Sequence, residues 1–557
     1  MKDFITAMKD TNNVSVTENG AIGYATTYKP LLDMHFALSS MRNMDADEIL
    51  KLWIPAFMAD PIMALRWLFY IRDIREGLGE RRTFRIILKW LAKNETRLAM
   101  NLITWRSSFT LNNGPLVAYY GRWDDLLALF STPLEEAAIN IISHQLYQDV
   151  NAMNEGKPVS LAAKWCPSIN AGKAAHVNAE KIRKLMRLTP KEYKHLLSEL
   201  RKYLDVLEVK ASANQWDEIK YSTVPSIANL RYSKAFLRHD YARRCEYLEK
   251  LTKGEETVNS SVAFPYQIYH KLEVQTTITY HGYNSPEIVP YSDIGEAEAQ
   301  LLDAMWKSLP DMIGNADTLV VCDSSGSMQR SIDRKSNVEA IDVAESLAIY
   351  FAERMHGRFA NTFITFSNQP KIVEIPDNLT LLEKALLVRS HVDYNNTDIA
   401  KVFKLILDTA LNNSYTQEDL PKNILIISDM EFDYVSLDDE GMYHNPSTKS
   451  FDVIREQYEV NGYKLPKLIF WNVCSRTMTI PVKENDLGVL LVSGFSVNTA
   501  KMVMSSELDP YKALINELMN PRYQVVEDAI KGGFNIPCEN DNRFQCNECI
   551  KCDPSHR

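Results

Sequence analysis

The spacing of apolar residues divides the chain into two parts with different periodicity. From residue 45 to about residue 310, apolar side chains recur at helical spacing, as at Ile49, Trp53 and Phe57. After about residue 315, short apolar runs alternate with amphipathic segments, which predicts strands separated by helices. Residues 1–44 show neither pattern, so an irregular N-terminal lead-in is predicted there.

The C-terminal pattern predicts an α/β domain over residues 315–535. Its candidate strands are 318–322, 361–366, 371–375, 423–427, 467–473 and 488–493. Apolar strands that alternate with helices form a mostly parallel, doubly wound, Rossmann-like sheet, whose functional sites lie beyond the carboxyl ends of the strands. The fold class is therefore multidomain, with an all-α N-terminal domain and an α/β C-terminal domain.

The helical pattern favours a solenoid or helical array over residues 45–310, although no strict repeat period is visible. Within it, residues 274–296 gather Pro, Ser, Gly and Asn and are predicted to form a linker or an excursion between domains. At 557 residues the chain is too long for one hydrophobic core. The organisation predicted is thus lead-in, helical domain, α/β domain and a Cys-rich tail at 536–557.

Composition predicts a cytoplasmic protein without a membrane partner. No basic N-terminal segment followed by an apolar run is visible, and the longest apolar runs are too short to span a bilayer. Four cysteines are scattered singly, which is typical of reduced thiols: Cys166, Cys245, Cys322 and Cys474.

The net charge of −10 is unevenly distributed. Acidic residues exceed basic ones after residue 315, whereas basic residues exceed acidic ones between residues 161 and 250. Such asymmetry is compatible with an anionic partner for the middle of the chain, and equally with a solvated helical surface.

Oxygen-bearing side chains fall in three loops of the predicted α/β domain. Asp323, Ser325 and Ser327 directly follow one strand, Thr397 precedes a helix, and Asp429 directly follows another strand. An all-oxygen ligand set favours a hard cation such as Mg²⁺, or Mn²⁺ or Ca²⁺, rather than zinc. The alternative is a Ser-rich turn without a metal.

This constellation resembles the metal-ion-dependent adhesion site (MIDAS) of von Willebrand factor A (vWA) domains. The resemblance implies that Ser325, Ser327 and Thr397 coordinate the metal directly, while Asp323 and Asp429 act through water or second-shell contacts. The chain departs from the family at two places. Asn-Asn precedes Thr397 where Gly-Gly is often found, and Met430 follows Asp429 where glycine is frequent.

The same motif does not predict catalysis. Asp323 resembles an aspartyl nucleophile, but a second Asp two residues later is absent. Ser325 lacks the glycine two residues before it that a nucleophile elbow requires. The chain is therefore predicted not to be an enzyme, and a metal-dependent hydrolase is the least supported alternative.

Several motifs of the helical half occur in an order that resembles the family labelled domain of unknown function 2828, which is similar to the Ro (TROVE-domain) ribonucleoproteins. They are RDIREGLGER (72–81), YGRWDDLL (120–127), AKWCPS (163–168), LRKYL (200–204), VPSIA (224–228) and KAFLRHD (234–240). The resemblance implies a ring of HEAT-like helical repeats closed by a vWA domain, with single-stranded or small structured RNA as the ligand. Members of that family occur in cells and in phages.

Basic residues of these motifs are the candidates for RNA binding: Arg72, Arg75, Arg81, Arg82, Arg122, Lys164, Arg231, Lys234, Arg238, His239 and Arg243. Trp123, Trp165 and Tyr232 could stack on bases. The alternative is that these aromatic residues belong to the core and that the arginines pair with nearby acids. Asp124 and Asp125 follow the loop Gly121-Arg122-Trp123, and this acidity counts against a simple transfer of RNA contacts to that loop.

Four cysteines of the C-terminal tail are close enough to hold one ion. Cys538, Cys546, Cys549 and Cys552 lie within 15 residues. Zinc, an iron–sulfur cluster and a reduced tail without metal all remain open.

The sequence therefore predicts a Ro-like, non-enzymatic RNA-binding protein with a metal-binding vWA domain. The alternative is a protein-interaction or assembly scaffold, without an RNA role, in which Mg²⁺ at the MIDAS binds a carboxylate of a partner protein. The sequence does not predict an oligomeric state.

Overall fold

The computed structural model describes residues 8–9, 11–104, 115–260, 262–279, 287–314, 317–366, 369–392, 398–433 and 449–531. Contacts divide the chain into two compact units. The first combines Met1–Glu48 with Tyr221–Glu517 and is called here the sheet unit. The second combines Ile49–Lys220 with Leu518–Arg557 and is called the helical unit.

All strands in the described ranges belong to the sheet unit. They are β1 (Ser15–Val16), β2 (Ile22–Gly23), β3 (Gln275–Thr279), β4 (Glu287–Tyr291), β5 (Thr318–Asp323), β6 (Thr362–Phe366), β7 (Ile372–Glu374), β8 (Asn423–Ser428), β9 (Lys467–Asn472) and β10 (Val489–Ser493).

The α-helices, in chain order, are α1 (Pro30–Phe36), α2 (Ala46–Ala59), α3 (Pro61–Arg72), α4 (Arg82–Asn94), α5 (Thr96–Thr104), α6 (Leu116–Tyr120), α7 (Glu135–Asn154), α8 (Ala162–Trp165), α9 (Lys173–Leu185), α10 (Pro190–Tyr203), α11 (Leu207–Ser212), α12 (Ser226–His239), α13 (Tyr241–Thr252), α14 (Pro265–Tyr269), α15 (Glu296–Lys307), α16 (Ala340–Arg354), α17 (Leu381–Ser390), α18 (Ile399–Asn412), α19 (Ser450–Val460), α20 (Ala500–Val503), α21 (Pro510–Leu518) and α22 (Gln524–Lys531). Short 3₁₀ helices cover Ser40–Arg42, Trp123–Leu129, Trp216–Glu218, Tyr221–Thr223, His270–Leu272, Gly326–Gln329, Gln417–Asp419, Val497–Thr499 and Pro521–Tyr523.

A six-stranded sheet forms the centre of the sheet unit, with the order β10-β9-β8-β5-β6-β7. Its strands pair in parallel except for the β6–β7 pair, which is antiparallel. Every residue of β5, β9 and β10 is buried. Strands of a parallel sheet are covered on both faces, which explains why these segments are mostly apolar. The prediction of a mostly parallel α/β sheet is confirmed.

Helix α16 is one of the helices that pack on this sheet. Its residues from Ala340 to Ala352 are all buried, and the helix packs against β5. A helix that is largely apolar around its whole circumference is stable only inside a core. The packing of α16 therefore fixes β5 and the loop that follows it.

The N-terminal lead-in differs from the irregular segment that was expected. Strands β1 and β2 form a short antiparallel hairpin, and α1 packs against β10. Tyr24 pairs with Ile480 through an isolated β-bridge. The α1–β10 and Tyr24–Ile480 contacts join residues that are hundreds of positions apart, so no local periodicity could indicate them.

The segment 274–296 contains an antiparallel hairpin formed by β3 and β4. Residues 221–310, which the sequence pattern assigned to the helical domain, group with the sheet unit. One reason is that α14 packs on α16, where the Tyr269 hydroxyl donates a hydrogen bond of 2.6 Å to Glu345 Oε2. The change in sequence pattern near residue 315 therefore does not coincide with the boundary between the compact units, which lies at residue 221 in this part of the chain.

The helical unit contains helices from its first residues to α11, and the prediction that this region is helical is confirmed. Its core includes Trp53, Phe57 and Trp67, which are fully buried. The later segment from Leu518 returns to this core, where Glu527 pairs with the buried Arg66. The helical unit is therefore built from two stretches of chain.

The four scattered cysteines are free, and all except the half-buried Cys245 are buried. Helices in the described ranges lack the combination of length and apolar composition that crossing a bilayer requires.

Candidate functional site

The candidate metal centre lies where β5 and β8 end. Cys322 pairs with Ile427 in this parallel register, so the next residues, Asp323 and Ser428, also lie at one level. Asp429 follows immediately on the β8 side. Adjacent parallel strands thus bring two loops to the same edge of the sheet, although more than 100 residues separate them.

The Asp323 carboxylate organises its own loop. Its Oδ1 accepts a hydrogen bond of 2.9 Å from the backbone N–H of Ser325, and its Oδ2 accepts one of 2.5 Å from the Ser428 hydroxyl. The loop turns back so that the Ser325 and Ser327 hydroxyl oxygens lie 3.0 Å apart. Gly326 is exposed and Ser327 is half-buried, so the loop reaches the surface while Asp323 stays inside.

The Asp429 carboxylate is held from the other side. Its Oδ1 accepts from the backbone N–H of Glu431 at 3.1 Å, and its Oδ2 lies 3.0 Å from Arg476 Nη1. The Ser327 hydroxyl lies near enough to this carboxylate to lower the pKa of Asp429. Asp429 therefore connects the loop after β8 with the Asp323 loop.

The electrostatics of the two carboxylates favour a bound cation. Burial raises the pKa of Asp323 to about 7, and the negative charge of Asp429 adds to this increase. Burial also raises the pKa of Asp429, although Arg476 acts in the opposite direction. Two buried carboxylates that repel each other are stabilised when a positive ion lies near both.

The chemistry of the donors fits a hard divalent cation. Within the described ranges, no group of three or more His, Cys, Asp and Glu side chains is placed to hold a metal. A cation at this edge would therefore depend on the Ser325 and Ser327 hydroxyls together with the two carboxylates, an all-oxygen set that suits Mg²⁺ or Mn²⁺. Thr397 lies outside the described residues, as do Cys538, Cys546, Cys549 and Cys552.

Met430 occupies the position where vWA domains frequently have glycine. Its φ is 64°, in the left-handed region that glycine adopts without strain. The Met430 side chain is fully buried, and that burial offsets the cost of the backbone conformation. The sequence departure therefore does not prevent the turn that places Asp429.

Sequence reasoning missed two residues that support this centre, Glu431 and Arg476. Glu431 is fully buried, and its Oε1 accepts from the backbone N–H groups of Arg476 and Thr477 at 2.7 and 2.9 Å. Burial alone would lower the pKa of Arg476. Three neighbouring carboxylates outweigh this effect and raise its pKa: Asp429, Glu18 and Glu431. Glu431 and Arg476 follow the ends of β8 and β9, and that position was the signal that could have indicated them.

Several basic residues predicted to bind RNA have partners inside the helical unit. Arg72 is buried and pairs with Asp125 at 2.7 Å, so its guanidinium cannot reach a phosphate. Arg122 pairs with Asp124 at 2.7 Å and lies 3.8 Å from the centre of the Trp165 ring. These contacts correct the assignment of Arg72 and favour the structural alternative for Arg122.

The remaining candidates of the helical unit are distributed between surface and interior. Arg75, Arg81 and Arg82 are exposed, while Lys164 is half-buried beside Trp165. Among the aromatic candidates, Trp123 is buried, and Trp165 is half-buried with one face of its ring covered by Arg122.

The sheet unit holds the other candidates on one helix and its neighbour. Arg231, Lys234, Arg238 and His239 are exposed on α12. Arg231, Lys234 and Arg238 follow each other at intervals of three and four residues, so they share one face. Arg243, in α13, pairs with Asp240 at 2.9 Å, and Tyr232 is half-buried. The face formed by Arg231, Lys234 and Arg238 is called here the α12 basic face.

Two family models match the chain. The model described as "Domain of unknown function (DUF2828)" matches residues 17–142 and 170–319, and that described as "Domain of unknown function (DUF7788)" matches residues 317–528. An uncharacterized protein of Acanthamoeba polyphaga mimivirus is 27% identical over 542 residues, which cover 91% of this chain and 87% of that protein. The crystal structure of the Deinococcus radiodurans RO (RSR) protein is similar with a TM-score of 0.43 and 14% identity, over 91% of this chain and 100% of that one.

Proposed function

This chain belongs to the DUF2828 family, as the order of its motifs predicted, and we propose that it is a non-enzymatic binding protein with a divalent-cation site in its sheet unit. The observation that carries the proposal is the meeting of Asp323, Ser325, Ser327 and Asp429 at the carboxyl ends of β5 and β8. Mg²⁺ or Mn²⁺ is the cation that this oxygen set favours.

The residues of the candidate centre lie at two depths, with the carboxylates in the interior and part of the Asp323 loop at the surface. Asp323 and Asp429 lie inside, where their negative charge attracts a cation, while Ser327 and Gly326 lie at the opening. A bound divalent ion would supply an electrophilic position for an oxygen of a partner molecule. Serine hydroxyls neutralise none of the charge on such an ion, which leaves it attractive to an acidic group.

The test of this function is metal-dependent capture of a protein partner. We expect the full-length chain to retain its partners in Mg²⁺ and to lose them in EDTA, and the Ser325→Ala/Ser327→Ala variant to lose them in both conditions. The matched control is Ser308→Ala/Ser390→Ala, which removes two exposed hydroxyls that donate to helix carbonyls of the same unit, that of Ser390 also contacting His391 Nδ1. Identical partners for all three proteins in both buffers would refute metal-dependent binding.

A second function, RNA binding, is favoured by the α12 basic face. Arg231, Lys234 and Arg238 span about 10 Å of the helix axis and face solvent. Lys234 pairs with Glu273 at 3.0 Å, but both side chains are exposed, and such a pair competes weakly with a phosphate. The resemblance of the motif order to Ro proteins supports the same ligand.

The variant Arg231→Glu/Lys234→Glu/Arg238→Glu is expected to bind single-stranded RNA at least about tenfold more weakly, because each side chain would contact a phosphate. The slope of log affinity against log salt should decrease by about 2. Filter binding at several salt concentrations measures both quantities.

The control for that experiment is Lys335→Glu/Lys371→Glu/Lys422→Glu, which changes the charge equally at three exposed lysines of separate segments in the same unit. An equal loss of affinity in the control would indicate general electrostatics, and RNA binding by the α12 basic face would then be rejected.

A further inference from the structure

An acidic side chain of the N-terminal hairpin lies at the opening of the candidate metal centre. Glu18 belongs to the turn between β1 and β2. The turn is fixed to the segment after β8, where the Thr17 hydroxyl donates to the Phe432 carbonyl at 2.6 Å and the Glu18 N–H donates to Glu431 Oε2 at 2.8 Å. Glu18 is therefore held at one place rather than left on a free tail.

The Glu18 carboxylate lies between two guanidinium groups. Its Oε1 lies 2.6 Å from Arg476 Nε and 3.8 Å from Arg330 Nη1. Arg330 directly follows the 3₁₀ helix that contains Ser327, and Arg476 also contacts Asp429. Both guanidiniums therefore lie next to the loops that would hold the cation.

The exposure of these side chains suits a ligand that can be exchanged. Arg476 is 17% exposed, whereas Glu18 and Arg330 are 40% and 61% exposed. The backbone of Arg476 is fixed by Glu431, which keeps its planar guanidinium in position. An ion pair with an exposed partner contributes little free energy, so another carboxylate can take the place of Glu18.

We propose that Arg476 and Arg330 form an anion subsite for a carboxylate of an acidic partner protein, and that Glu18 occupies this subsite in the free chain. The inference deepens the proposed metal-dependent function and rests on it for the neighbouring cation. A carboxylate is the ligand class because the group that the subsite now holds is a carboxylate. The partner must displace Glu18 before it binds.

The test uses a fluorescent peptide, acetyl-Gly-Glu-Gly-amide with a C-terminal dye, titrated with the full-length chain in Mg²⁺. We expect the variant Glu18→Gln to bind it roughly three- to fivefold more tightly, because removal of the internal competitor frees the subsite. Glu418→Gln, an exposed acid elsewhere in the same unit, should leave the affinity unchanged. Acetate, inorganic phosphate and the Gln analogue of the peptide serve as competitors, and the Gln analogue should displace the peptide least.

Arginine variants complete the test. Glu18→Gln/Arg330→Gln should bind the peptide no more tightly than the unmodified chain. Glu18→Gln/Arg476→Lys should bind it more weakly than Glu18→Gln, since lysine keeps the charge but lacks the paired N–H donors of a guanidinium. An unchanged affinity in Glu18→Gln, or displacement of the peptide by phosphate more readily than by acetate, would overturn the carboxylate subsite.

Mn²⁺ binding by each variant distinguishes the two proposals. If the unmodified chain binds Mn²⁺ but Glu18→Gln does not bind the peptide more tightly, only the subsite is refuted. If the unmodified chain binds no Mn²⁺, the proposed metal function fails, and the same peptide titration in EDTA decides the subsite alone. A circular dichroism spectrum equal to that of the unmodified chain shows that each variant is folded.

Discussion

A roughly 100-fold loss of affinity for Mn²⁺ is the expected result of replacing both hydroxyls of the Asp323 loop, in the variant Ser325→Ala/Ser327→Ala. The two oxygens lie 3.0 Å apart beside buried carboxylates, and neither alanine can coordinate a cation. The loop itself should remain folded, because its backbone is held by Asp323 rather than by the serine hydroxyls. Electron paramagnetic resonance of free Mn²⁺ during a titration gives both affinities.

The control pair Ser308→Ala/Ser390→Ala should bind Mn²⁺ like the unmodified chain. A second variant, Asp429→Asn, tests the carboxylate without changing its size, and it should also weaken binding. Equal Mn²⁺ affinity in the unmodified chain and in Ser325→Ala/Ser327→Ala would exclude the serines as ligands. An Mn²⁺ affinity of Asp429→Asn equal to that of the unmodified chain would exclude that carboxylate.

The variant Asp125→Ala is expected to lower the unfolding free energy of the helical unit by about 3–5 kcal/mol. Asp125 is fully buried and accepts from Arg72 Nε at 2.7 Å, from Arg85 Nε at 2.6 Å and from the Arg122 N–H at 2.9 Å. Its removal leaves the Arg72 guanidinium buried without a counter-charge. Loss of one member of such a pair costs more than the pair itself contributes.

Hydrogen exchange resolved by peptide is the suitable measurement, since the two compact units need not unfold together. Peptides of α3 and α4 should lose protection in Asp125→Ala. The control Glu199→Ala removes an exposed acid from α10 in the same unit, and it should change the unfolding free energy by less than about 0.5 kcal/mol. Unchanged protection in Asp125→Ala would contradict the structural role given to Arg72.

The strands and the position of the Asp323 loop could be predicted because their signals are local. An apolar run such as Thr318–Cys322 predicts a buried strand, and a serine-rich loop after it predicts oxygen ligands at the sheet edge. The register that places Asp323 beside Ser428 follows from parallel pairing of two such strands. For this part of the chain, sequence spacing carried most of the information.

Contacts between distant residues could not be predicted. Nothing near Glu18 indicates that it meets Arg476, and nothing near Arg72 identifies Asp125 as its partner. Basic residues in a motif look alike whether they face solvent or pair with a buried acid. Arg72 is buried and Arg231 is exposed, and this difference arises only from how distant segments of the chain pack together.

The N-terminal hairpin has a consequence for how the protein is made. Thr17 bonds to Phe432, 415 positions later, so a ribosome adds these two residues about 20–80 s apart. During that interval the hairpin has no partner, while much of the intervening chain has already emerged. A segment that leaves the ribosome well before its partner is therefore among the last to find its native contacts.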